Sequence, residues 1–337
     1  MKIVDLHCDT IWQIYESQKQ GKPQTLRKNT FQLDQTKMQQ GNYLLQNFAI
    51  FMDIEKVTDP YQEAIGMINC FYQELADNRD WLAPAKSYQE IIANQKADKI
   101  SGMLTMEEGA PLQGDVARVA EFYDLGVRML TLTWNYPNQL GFPNCLYVNQ
   151  KTAEIATQQQ GLTEIGVEVV KEMNRVGMII DVSHGSDQLV RDVLQHSQKA
   201  LVASHSNVRQ LANHSRNLSD ELIRKIANQG GLIGINYYEA FVRAVNASKM
   251  PFKLAKAFAK KSLVSELVEH IYYLKNLAGI EVIALGSDFD GIPPHPELAD
   301  GSTVMKIADE LAKKQFTAKE IDQILGENVL RFYRENL

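Results

Sequence analysis

The chain has 337 residues, 45% of them hydrophobic, and a formal net charge of −6; it can bury a large core, and the lack of a long basic cluster argues against nucleic acid or an anionic membrane as partner. No apolar stretch reaches bilayer-spanning length and the N-terminus lacks a charged-then-apolar signal layout, so a cytoplasmic location is expected. The three cysteines, Cys8, Cys70 and Cys145, are far apart and without paired spacing, which argues against a disulfide framework or a cysteine-rich zinc site.

Short apolar runs that end in polar residues recur eight times, at residues 2–5, 44–51, 102–106, 127–132, 178–180, 201–203, 232–235 and 282–285. They are apolar on both faces, the pattern of parallel strands covered by helices. The first run leads into His7-Cys8-Asp9. Residues i and i+2 on an extended backbone point to one side, so His7 and Asp9 can share a divalent ion while Cys8 turns away. Glu107 and Glu108 follow the third run, and Trp134 and Asn135 the fourth. His184 follows the fifth, His205 the sixth, Asn236 and Tyr237 the seventh, and Asp288 the eighth.

Helical patterns lie between the runs. Thr163 is the predicted N-cap of a helix whose face is Ile165, Val169, Met173 and Val176, ended by Gly177. Residues 251–277 are helix-rich and predict an extra helix before the last strand. Thr317 and Glu320 form a capping-box pattern ahead of Ile321, Ile324 and Leu325. Eight strand–helix alternations predict an α/β fold, a (β/α)8 barrel, as one domain over residues 1–337. An open doubly wound sheet is the structural alternative, although no Gly-x-Gly-x-x-Gly run supports a dinucleotide site.

In such a barrel, functional groups gather at the C-terminal ends of the strands. The polar residues there supply three imidazoles and at least three carboxylates, more than one four-coordinate zinc with an open position needs. Two metals sharing a carboxylate, with a hydroxide between them, use the set better. His196 and His270 fall in predicted helices and read as structural or solvated. His214 stands near Arg216, and His295 sits in a proline-rich loop. Asp181 is placed to orient a neighbouring ligand.

The runs Asp5-Leu6-His7-Cys8-Asp9, Met106-Glu107, Gly126-Val127-Arg128, Asp181-Val182-Ser183-His184, Ser204-His205-Ser206, Ser215-Arg216-Asn217 and Gly286-Ser287-Asp288-Phe289-Asp290-Gly291 come in a specific order and spacing. Over nearly its whole length the chain resembles the membrane dipeptidase (renal dipeptidase) family of zinc peptidases, in a soluble bacterial-type form. The resemblance implies a (β/α)8 barrel holding two Zn2+ ions, although His/carboxylate sets also accept manganese, iron or cobalt. It implies that His7 and Asp9 hold one ion, His184 and His205 the other, and Glu107 bridges, with Glu108 as the fallback bridge. Asp288 resembles the acid/base, and Arg216 the residue that grips the free carboxylate of a dipeptide.

Renal-type members carry a histidine where this chain has Trp134. Either Trp134 or Asn135 then donates a hydrogen bond to the scissile carbonyl, or zinc alone polarises it. Asn236 and Tyr237 are further candidates for the pocket wall. The expected activity is hydrolysis of short dipeptides, with tolerance of D-residues on the C-terminal side and slow β-lactam cleavage. The sequence does not fix the oligomeric state, and the resemblance implies a homodimer. The rival readings are another metal-dependent amide or lactone hydrolase on the same barrel, or a barrel that binds peptide or metal without turnover.

Overall fold

A computed structural model describes residues 1–148, 151–154, 159–243 and 262–337. Strands β1 (Ile3–Cys8), β2 (Tyr43–Phe51), β3 (Ile100–Glu107), β4 (Met129–Thr131), β5 (Ile179–Asp181), β6 (Val202–Ala203), β7 (Leu232–Ile235) and β8 (Ile283–Leu285) pair in parallel, each with the next. β8 then pairs with β1, Leu285 opposite Asp5, so the sheet closes into a (β/α)8 barrel rather than an open doubly wound sheet. Each strand lies where an apolar run predicts one. β1 extends three residues further than its run, so His7 belongs to the strand itself.

Two additions were not legible in the sequence. A short strand, Leu82–Pro84, pairs with the start of β3, below the point at which β4 takes over the same edge. An antiparallel hairpin, Cys145–Val148 with Lys151–Glu154, stands between β4 and the helix Glu164–Val176.

The closed sheet sorts the apolar residues into two cores. The larger lies between the strands and the surrounding helices. The smaller fills the barrel and draws on every strand: Val4 and Leu6, Leu45, Met103, Met129, Ile179, Val202, Leu232 and Ala284. Val329, Leu330, Phe332 and Tyr333 of the last helix, Asn328–Asn336, belong to this inner core and stopper its lower end. Tyr333 also accepts a 2.7 Å hydrogen bond from Asn47 of β2 through its buried hydroxyl.

The helix signals hold with one shift. Thr163 caps Glu164–Val176 by accepting from the Gly166 N–H, and Gly177 ends it with a left-handed backbone (φ 87°). The buried face is Gly166, Val169, Val170 and Met173, while Ile165 is 40% exposed. The reason is close approach: a Cβ on Gly166 would lie 1.9 Å from the Leu140 carbonyl oxygen, so the helix rests on that glycine and turns Ile165 out. The Thr317–Glu320 capping box forms as read. The extra helix expected within residues 251–277 falls in part outside the described residues, of which Leu263–Ala278 is helical. Among the described residues, no helix is long and apolar enough to cross a membrane.

Phe332 is fully buried in the stopper. Phe332→Ala should destabilise the protein by about 3–5 kcal/mol, read as a lower urea midpoint at unchanged m-value. Tyr333→Phe, which leaves the Asn47 amide unpaired in the core, should cost about 1–3 kcal/mol.

Candidate active site

The strand ends converge on one cluster. The Asp5 Oδ1 atom accepts from the His7 N–H (3.1 Å) and the Ser287 N–H (3.0 Å), which locks the ends of β1 and β8 together. His7 Nε2 then lies 3.4 Å from Asp9 Oδ2, 3.3 Å from Glu107 Oε2 and 3.9 Å from Asp288 Oδ1. The other Glu107 oxygen, Oε1, lies 2.9 Å from His184 Nε2 and 3.5 Å from His205 Nε2. Glu107 thus divides its two oxygens between the His7 side and the His184–His205 side. All six side chains are buried or nearly so.

The partners behind the histidines fix which nitrogens face inward. His184 Nδ1 contacts Asn135 Oδ1 at 2.8 Å. An amide oxygen only accepts, so Nδ1 carries the proton. His205 Nδ1 contacts Ser204 Oγ at 2.8 Å, and that hydroxyl gives its own proton to Asp181 Oδ2 at 2.6 Å, so it accepts from the imidazole. Asp181 also takes a hydroxyl bond from Thr131 and N–H bonds from Ser183 and Ser204. Both Nε2 atoms are therefore bare lone pairs, and they face each other at 2.9 Å.

Burial, with the Arg216 charge adding, pushes His184 down to about 4, and burial with the His7 charge holds His205 well below its usual range. For His7, burial is outweighed by the Glu107 and Asp9 carboxylates, which raise it well above. Glu107 is held well below the carboxylate range: burial opposes ionisation, but the His7 charge outweighs it. Burial, then the Asp9 and Glu107 charges, pushes Asp288 up to about 8.

Neutral lone pairs and carboxylate oxygens crowded together in a buried site are stable only around a cation. His7 Nε2 makes no well-aimed hydrogen bond, and Asp9 Oδ1 is buried without a partner. His7, Glu107 and His205, and likewise His7, Asp9 and Asp288, bring ligand atoms within 4.8 Å of one another. The donor set fits a divalent metal, with the backing bonds orienting the imidazoles as such sites require.

Glu108 lies elsewhere. Its carboxylate accepts from the backbone N–H groups of Ala110 (2.8 Å) and Trp134 (2.7 Å) and from the Asn138 amide, tying two loops together away from the histidines. Arg216 is 2% exposed; its Nη2 donates to the His205 carbonyl at 3.3 Å and its guanidinium sits 5.3 Å from the Phe241 ring. Its Nε and Nη1 have no partner, an expensive arrangement in a buried site unless a ligand anion takes them. His184 (φ 66°) and Asp288 (φ 63°) are both held in the left-handed region, a strain that marks functional positions.

A cleft of about 590 Å³ opens over the cluster, bordered by Arg216, Trp134, Asn135, Tyr238, Phe241 and Asp288 among others. Trp134 forms a wall. Asn135 spends its side-chain oxygen on His184, so it orients a candidate ligand. Tyr237 does not line the cleft: it is buried edge-to-face against Phe289 at 5.6 Å, and Tyr238 takes its place. The Tyr238 N–H bonds to Asn236 Oδ1 (2.6 Å), a local turn just past the strand end, whereas the Tyr237 expectation rested only on its place after the seventh run.

The same Asn236 donates to Asp288 Oδ2 at 2.9 Å, a contact the sequence did not reveal. Phe51 and Trp12 were missed as cleft residues, although Phe51 ends an apolar run as Glu107 ends the next strand. His270 is structural as expected, accepting from the Val208 N–H and bonding the Val242 carbonyl. Cys8 is packed in the outer core.

The model of the membrane dipeptidase family (peptidase family M19) matches residues 1–336. The chain is 29% identical over 296 residues to an uncharacterized dipeptidase of Schizosaccharomyces pombe, which covers 87% of this chain but 66% of that protein. It is 33% identical over 271 residues to an uncharacterized Klebsiella pneumoniae protein of the pqqA 5′ region, covering 78% of this chain and 95% of that one. Its fold superimposes with a TM-score of 0.83 on a metallopeptidase from Rhodobacter sphaeroides solved with a phosphinate mimic of L-Ala-D-Ala, at 21% identity over all of this chain and 99% of the other. The chain belongs to the membrane dipeptidase family, peptidase family M19, a family of metallo-dipeptidases.

Proposed function

We propose that this protein is a dinuclear zinc dipeptidase that hydrolyses the peptide bond of short dipeptides. The observation that carries the reading is the split of Glu107, one oxygen toward His7 and the other toward His184 and His205. His7 and Asp9 would hold one ion, His184 and His205 the second, and Glu107 both. When bound, the pair would ionise a water as nucleophile near neutral pH and polarise the scissile carbonyl.

The chain's own residues do the rest. Arg216 offers two unpaired donors to the substrate carboxylate from a fixed, desolvated position. That grip sits beside the His205 backbone, so the carboxylate must lie close to the scissile bond, which limits the substrate to two residues. The substrate mimic held by the Rhodobacter enzyme has this length. Asp288 faces the cluster with Oδ1 while Asn236 holds Oδ2, so one oxygen remains to take a proton from the attacking water and pass it to the leaving amine.

Asp288→Asn should lower kcat by about 10²–10⁴-fold while elemental analysis still finds two metal ions per chain; normal turnover by that variant would falsify the proton role. Arg216→Leu should raise KM for dipeptides, and a dipeptide with an amidated C-terminus should be a poor substrate for wild type and variant alike.

The metal-free protein should also lose stability as pH rises from 6.5 to 8. Folded His7 and Asp288 keep protons there that the unfolded chain, with ordinary values of 6.5 and 3.8, releases. His184 and His205, lowered on folding, act in the opposite direction, but that effect fades above about 6.5 as the unfolded imidazoles lose their protons, so the fall steepens toward pH 8. The slope should be roughly 1.4 kcal/mol per pH unit for each retained proton. Thermal melts of chelated and zinc-loaded protein at four pH values check this; bound zinc, which competes with those protons, should abolish the fall.

A further inference from the structure

The mouth of the cleft differs from one side to the other. In an eight-strand closed barrel, β2 lies across the axis from β6. Arg216 hangs from the loop after β6, and Phe241 follows β7. Across from Arg216, and reaching round toward it, stand three aromatic rings: Trp12 after β1, Phe51 at the end of β2 and, a quarter turn from β6 and 6.2 Å from the His184 ring, Trp134 after β4. Trp12 meets Phe51 edge-on (5.1 Å, 88°), and Phe51 meets Trp134 edge-on (4.9 Å, 68°), so the three form one continuous wall. Phe51 is 8% exposed and serves as the hinge of the wall, while Trp12 and Trp134 are half-buried and keep surface open to the cleft. Edge-to-face contacts of this kind hold the rings in place before any ligand arrives.

The charged residues bordering the wall do not give it a sign. Lys56 Nζ pairs with Asp53 Oδ2 at 2.8 Å, and Asp53 Oδ1 accepts from the Glu55 N–H. A side chain resting there meets apolar surface, with Lys56 and Asp53 paired at its edge.

A dipeptide with its carboxylate on Arg216 and its scissile carbonyl over Glu107 must direct its N-terminal residue toward β2. Two residues span roughly 7 Å when extended, so that side chain reaches the wall and goes no further. Resting on the dipeptidase reading above, we infer that the enzyme selects dipeptides whose N-terminal residue carries a large apolar side chain, seated on the Trp12–Phe51–Trp134 wall, with Trp134 as the residue that sets the preference.

The test is kcat/KM of the zinc-loaded full chain for Gly-, Leu-, Phe-, Asp- and Lys-D-Ala. Leu- and Phe-D-Ala should exceed the other three by about 10- to 200-fold. Trp134→Ala should shrink the Leu-to-Gly ratio at least about tenfold, a ratio that cancels losses common to all substrates. Trp134→Phe, which keeps an aromatic face, should retain most of it, and Phe51→Leu offers a second probe of the wall if Trp134→Ala fails to fold. Equal efficiency for Gly- and Leu-D-Ala, a preference for Asp or Lys, or an unchanged ratio in both Trp134→Ala and Phe51→Leu overturns the inference and leaves the dipeptidase reading standing. Turnover of none of the five overturns both.

Discussion

Everything at the top of this barrel is arranged around one buried carboxylate. Glu107 stands between an imidazole on β1 and two imidazoles beyond β5 and β6, and it alone gives one oxygen to each set, while the His7 and His205 rings also meet at 4.0 Å. Such a crowd of acceptors would repel itself unless each group were held by something behind it. The Asp181–Ser204 pair holds His205, Asn135 holds His184, and Asp5 holds the backbone at His7. Asn236 holds Asp288, and Asn236 is itself fixed by Asn207, whose oxygen accepts its N–H while its amide donates to its carbonyl. His184, His205 and Asp288 thus each have one atom committed to the protein and another free for chemistry.

That arrangement is expensive. Two non-glycine residues of the site are held in left-handed backbone, at about 1–3 kcal/mol each, and several ionisable groups are desolvated. The opposite end of the barrel offsets this with a dense apolar core, closed by the last helix, in which the buried Tyr333 hydroxyl is hydrogen-bonded. Stability and reactivity occupy different ends of the same eight strands, which is why loops at the top can be strained without melting the fold.

The sequence disclosed the ends of strands better than anything else. An apolar run buried on both faces must stop where the chain meets the cleft, so position marked His7, His184, His205 and Asp288, and the pair Glu107 and Glu108, between which only the family spacing chose. Contacts set by register between strands were not marked, because nothing local couples Asn135 to His184 or Asn236 to Asp288. Tyr237 and Ile165 show the other limit. Position after a strand and helical periodicity place a side chain only while the backbone stays regular, and an Asn236 turn in one case and a glycine pressed on the Leu140 carbonyl in the other each shift the pattern by one residue. The Trp12–Phe51–Trp134 wall was invisible for the same reason as the hydrogen bonds: its members come from three different strand ends.

The pairing of β1 with β8 has a bearing on how the protein comes into being. His7 and Asp288 are neighbours only once Asp5 has joined the two strands, and 280 residues of chain separate the His7 carbonyl from the Ser287 hydroxyl that binds it. Contacts that distant form late, after the cost of closing a long loop has been met. A ribosome-bound chain that has not yet released β8 has no completed cluster and no closed barrel. The cluster that Glu107 divides is thus a property of the whole chain, since its first imidazole and its last carboxylate come from opposite ends of the closing seam.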